Sequence, residues 1–106
     1  MRSYKERSTW IIEYLRDNIG GVDVLNANFV NDYLNFSGEG TRYAPMPYGA
    51  HKVPQLGRDL TRMYRECKLE RTRVGIQGFA GMGFPHWVWS YTISPRYKEV
   101  LEETRL

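Results

Sequence analysis

The run Pro54-Gln55-Leu56-Gly57-Arg58-Asp59-Leu60-Thr61-Arg62-Met63-Tyr64-Arg65 decides how this chain is read. Leu56, Leu60, Met63, Tyr64 and Cys67 recur at the spacing of one helical face, and that face is expected to meet a core. Gln55, Arg58, Asp59, Arg62 and Arg65 recur on the other side. Side chains of these types bond base edges and phosphates. The pattern predicts a helix over residues 53–67. Pro54 suits its first turn, where the missing N–H would have no helical partner in any case.

C-terminal to this helix, residues 68–76 take strand character from Val74 and Ile76, and period-two alternation puts Arg71 and Arg73 on one side. Residues 75–85 hold Gly75, Gly78, Gly81 and Gly83 and read as a turn region. Residues 86–94 alternate sharply. Trp87, Trp89, Tyr91 and Ile93 lie on one side, and His86, Val88, Ser90 and Thr92 on the other. Large apolar side chains are costly to leave wet, so the aromatic side is expected in the core. Ser94-Pro95 reads as a cap and the first residue of a terminal helix over 95–106, with Tyr97, Val100 and Leu101 as its narrow apolar stripe.

N-terminal to it, Ser3 and Glu6 have capping-box spacing. Trp10, Ile11, Tyr14, Leu15 and Ile19 form the stripe of a first helix, which Gly20-Gly21 should stop. Residues 22–25 are short and β-rich, suited to a lone edge strand. Asn26 or Asn28 can cap a second helix carrying Phe29, Val30, Tyr33 and Leu34, with Ser37-Gly38 as its end. Residues 37–50, with Arg42, Tyr43 and Tyr48 among glycines and prolines, read as an unusually long loop.

The chain has 106 residues, of which 42% are hydrophobic and 25% charged, so one folded domain over 1–106 is expected rather than disorder. No apolar run approaches the roughly 20 residues that span a bilayer, and no secretory signal is visible at the N-terminus. Cys67 is the only cysteine, which rules out an intrachain disulfide and fits a cytoplasmic protein. The net charge of +3 is unevenly spread: residues 1–40 carry −2, residues 41–76 carry +5, and residues 77–106 carry none. Positive charge thus collects where the arginine-faced helix and the first strand stand, as a polyanion partner would require.

Helix, short strand, helix, long loop, helix, strand, glycine-rich tip, strand, terminal helix: this order resembles the winged helix-turn-helix superfamily from Trp10 to about Ile93. The arginine density of the third helix is similar to that of small bacterial or phage-type regulators. The resemblance implies an α+β fold with a three-helix core, a C-terminal β-hairpin wing and a short terminal helix. A helix-turn-helix turn normally has about three or four residues, whereas loop 37–50 stands between the second and third helices here, which favours a looser winged variant.

Duplex DNA binding through helix 53–67 and hairpin 69–93 is the function this implies, in a transcriptional regulator or a DNA-processing accessory factor. In a major groove Gln55 would pair with adenine and Arg58 or Arg62 with guanine, in bidentate geometry. Asp59 shares their face, while Lys52 and Arg65 would touch phosphate. On the wing, Arg71 and Arg73 flank the groove-side strand, with Gln77 and His86 near the tip. The competing reading of the helix is Asp59 holding Arg62 or Arg65 in exposed surface pairs. One module makes few contacts, so specific binding usually needs a homodimer or a protein partner, for which the terminal helix is the obvious place unless Tyr97, Val100 and Leu101 dock on their own domain.

A rival function is a protein–protein interaction module on the same fold, using loop 37–50 and a tip, 79–84, that carries Phe79, Met82 and Phe84. Base stacking by Trp87, Trp89, Tyr91, Trp10, Tyr14 and Phe29 is less well supported. Stacking platforms interleave aromatic and basic residues on one strand face, and the alternate residues of this strand are not basic. Gly78-x-x-Gly81-x-Gly83 has the wrong order for a phosphate loop. His51, Cys67 and His86 are too scattered for a metal site, and Cys67 fits the core stripe better than a nucleophile's cleft. No catalytic residue, metal or cofactor is expected.

Overall fold

The computed structural model describes residues 1–38, 53–76 and 87–103. They form α1 (Tyr4–Asp17), α2 (Ala27–Ser37), α3 (Pro54–Arg65), β1 (Leu69–Gly75), β2 (Trp87–Ile93) and α4 (Pro95–Glu103), an α+β arrangement of four helices and one antiparallel hairpin among the described residues. Loop residues 39–52 and tip residues 77–86 lie outside them, and with them Lys52, Gln77, His86, His51 and the 79–84 tip.

Local chemistry accounts for most element ends. The Ser3 hydroxyl accepts from the Glu6 N–H while the Glu6 carboxylate accepts from the Ser3 N–H, which is the capping box the spacing predicts. Asn26, rather than Asn28, caps α2 by accepting from the Phe29 N–H at 3.1 Å. Gly38 closes α2 in the left-handed conformation, φ +77°. The Ser94 hydroxyl accepts from the Tyr97 N–H at 3.2 Å and donates to the Cys67 carbonyl at 2.8 Å, so the α4 cap also ties that helix to the turn before β1.

Two helix ends differ from expectation. α1 stops at Asp17, so Ile19 falls outside the helical stripe and is 85% exposed. α3 stops at Arg65, and Cys67 adopts φ +63°. The Cys67 N–H donates to the Tyr64 carbonyl and the Lys68 N–H to the Met63 carbonyl, both at 3.0 Å. That is the Schellman pattern with cysteine in the position glycine usually takes. The left-handed residue turns the thiol into solvent and ends the helical register, so Cys67 is exposed rather than in the core, and Leu69 is buried instead.

The core joins Ile11, Ile12 and Leu15 of α1, Phe29, Val30, Tyr33 and Leu34 of α2, and Leu56, Leu60 and Met63 of α3 to Leu69 and Tyr91 of the hairpin. Trp10 stacks on Phe29 and Phe36 at 6.0 and 5.6 Å, which seals α1 against α2. Val22 pairs with Tyr91 as a single antiparallel bridge, its N–H donating at 3.0 Å and its carbonyl accepting at 2.7 Å. β2 therefore lies between Val22 and β1.

Candidate nucleic-acid interface

Asp59 requires the main correction to the sequence reading. It was expected on the outward arginine face, yet it is 2% exposed and lies between α1, α2 and α3. Arg7 clamps it with two bonds, Nε to Oδ2 at 2.8 Å and Nη2 to Oδ1 at 3.1 Å. The Tyr33 hydroxyl donates to Oδ2 at 2.7 Å, and Gln55 Nε2 donates to Oδ1 at 2.9 Å. Arg7 is itself 7% exposed and also donates to the Arg2 carbonyl. The carboxylate holds the Arg7 guanidinium above its ordinary pKa through their hydrogen bond. Burial, then the bond to Asp59, raises the Tyr33 phenol far above the usual tyrosine value. A buried ion pair needs this degree of satisfaction to persist.

Gln55 is likewise not a free reader of bases. Its amide nitrogen serves Asp59, and its carbonyl accepts from Arg58 Nη2 at 3.2 Å. The amide thus relays the buried carboxylate to the exposed guanidinium and fixes where Arg58 points. Nothing in the sequence near Asp59 names its partner, because Arg7 stands 52 residues away. The available signal was the pair of polar residues, Arg7 and Tyr33, each lying in or next to an apolar stripe.

With Asp59 withdrawn, the outer face of α3 is a row of cations. Arg58, Arg62 and Arg65 are exposed and, with Pro54, Gly57 and Thr61, line a shallow groove along the helix. The expected pairing of Asp59 with Arg62 or Arg65 does not occur. Arg62 instead lies 3.6 Å over the Tyr4 ring and donates from Nε to Glu66 at 3.3 Å, and among the described residues its terminal nitrogens have no hydrogen-bond acceptor. Tyr4 donates to the same carboxylate at 2.5 Å, and this bond, first among several causes, draws the Glu66 carboxyl below its usual range.

The hairpin continues this surface. Register pairs Arg71 with Tyr91, Arg73 with Trp89 and Gly75 with Trp87, so both arginines share the aromatic face of β2. Arg71 sits between two rings, 3.9 Å from Tyr64 of α3 and 4.2 Å from Trp89. Arg73 lies 4.1 Å over Trp87. Burial therefore fades along the strand instead of covering all its aromatic residues. Tyr91 is in the core, Trp89 is half-buried, and Trp87 is 38% exposed, with Arg71 and Arg73 packed against the two indoles. Tyr64, expected in the core, is exposed and forms the joint between α3 and the hairpin.

Among the described residues no cluster of His, Cys, Asp or Glu is arranged to hold a metal, and no helix is long and apolar enough to cross a membrane. Comparison with protein-family models, with curated proteins and with solved structures finds no match to this chain.

Proposed function

We propose that this chain binds double-stranded DNA as a winged-helix protein, as a small transcriptional regulator or a DNA-processing accessory factor. The observation that carries the reading is the segregation of charge on α3. Its one carboxylate is turned inward onto Arg7, while Arg58, Arg62 and Arg65 stay exposed on the opposite side. An exposed helix with that face suits a major groove, where arginine reads guanine and contacts phosphate. Arg58, oriented by Gln55, is the base reader in this proposal; Arg65, Arg71 and Arg73 contact backbone. The element order supports the winged-helix part, with Val22 and β1 flanking β2 and α3 leading directly into the hairpin.

The test is binding to random-sequence duplex across a salt series. Arg65, Arg71 and Arg73 neutralising about three phosphates predict a log–log slope of about −2.7. Arg58→Ala should relax sequence preference in a selected duplex, and Arg65→Ala should weaken all sequences alike. A flat salt dependence, or no binding at low salt, overturns the reading.

A further inference from the structure

Tyr64, Arg71, Trp89, Arg73 and Trp87 form one run in which cations alternate with aromatic rings, from the end of α3 to the far part of the hairpin. Neither strand carries this alternation alone. β2 supplies the indoles, and the register of β1 places a guanidinium against each. Rings interleaved with cations on one face are what single-stranded nucleic acid requires, since every base can stack and every phosphate needs a counter-charge. We propose that this face stacks unpaired bases, so that the substrate is a duplex flanked by a single-stranded segment. α3 holds the duplex, Arg71 and Arg73 follow the backbone out of it, and the indoles stack the bases of the strand beyond. The inference rests on the duplex reading of α3 and names its substrate class.

Geometry favours an unpaired strand over further duplex. The Trp87 and Trp89 rings meet nearly edge to face, at 81° with centroids 5.0 Å apart. Bases resting on rings so inclined cannot remain stacked on one another, as they must inside a duplex. Trp87 also keeps 38% of its surface in water, which leaves part of its ring open to a base. A guanidinium packed against an indole, as Arg73 is at 4.1 Å from Trp87, makes that contact without using its N–H donors, which a phosphate can then accept. The run begins at Tyr64, in the last turn of α3, so it starts on the helix that holds the duplex in this reading.

The experiment compares three labelled probes by fluorescence anisotropy: a blunt duplex, the same duplex with a single-stranded tail of about eight nucleotides, and the tail alone. Wild-type protein should bind the tailed duplex about tenfold more tightly than the blunt one, the scale of one stacked base. Indole fluorescence should be quenched only by probes carrying the tail. Trp87→Ala should abolish the preference for the tailed over the blunt duplex, while Trp87→Phe retains most of it. Circular dichroism confirms that both variants fold. Equal affinity for tailed and blunt duplex, or a preference that survives in Trp87→Ala, overturns the stacking proposal and leaves the duplex reading standing. Binding of the tail alone without binding of blunt duplex overturns the duplex reading and keeps the stacking site. Binding of no probe, as a protein-docking face would give, overturns both.

Discussion

Asp59→Ala is expected to be among the most damaging single substitutions in this domain, although the residue stands in the middle of an arginine-faced helix. The carboxylate accepts hydrogen bonds from Arg7 Nε and Nη2, from the Tyr33 hydroxyl and from Gln55 Nε2. Removing it leaves the Arg7 guanidinium 7% exposed with no counter-charge on its buried side. Breaking a buried pair from one side costs about 3–5 kcal/mol. The Tyr33 hydroxyl, fully buried, also loses its acceptor, at about 1–3 kcal/mol if nothing replaces it. The two penalties share one cause and do not simply add, so the upper part of the first range is expected. That is a large share of a typical domain stability of about 5–15 kcal/mol. In thermal unfolding it corresponds to a fall in Tm on the order of 15–30 °C. Urea unfolding followed by circular dichroism would measure the loss. A triple variant, Arg7→Met with Tyr33→Phe and Asp59→Leu, removes the two buried donors together with the acceptor, leaves only the partly exposed Gln55 amide to find water, and should recover much of the stability. A loss below about 1 kcal/mol for Asp59→Ala would refute the argument, because a carboxylate on an exposed helix face costs no more than that to remove.

Cys67→Gly should stabilise the fold by about 0.5–1 kcal/mol in the same assay, because glycine relieves the left-handed strain at φ +63° and leaves the α3 cap intact. Gly21→Ala should destabilise by about 1–3 kcal/mol, because its φ is +96° and an added Cβ would stand 2.7 Å from the Ser90 hydroxyl oxygen. Stability should fall as pH rises above 10.0, the ordinary tyrosine value. Burial and Asp59 raise the folded-state value for Tyr33, so the unfolded chain loses its phenolic protons first, and the stabilisation is complete only below that pH. Tyr33→Phe should flatten the alkaline limb measured by denaturant titration at about pH 9 to 11.

Several elements could be read in the sequence because the groups that fix them are neighbours along the chain. Ser3 with Glu6, Asn26, Pro54 and Ser94-Pro95 set helix ends through bonds closed within a few residues. The α2 stripe and the hairpin follow from helical and two-residue periodicity, and the same periodicity puts the third helix at 53–67, two residues past its end at Arg65. The cationic side of α3 was legible too, except for its one acid.

What the chain alone did not decide depends on contacts between distant residues. Asp59 stands at the edge of the outward arc of α3, where periodicity permits either side. Arg7, 52 residues earlier, draws it inward. Cys67 fits the stripe only if the helix continues, and the left-handed turn that prevents this is stabilised by carbonyls one turn back. Trp87 and Trp89 read as core because alternation within one strand says nothing about its neighbour. The pairing register, set in three dimensions, places Arg71 and Arg73 against those rings, so that the expected core face keeps Tyr91 buried but ends in a half-buried Trp89 and an exposed Trp87.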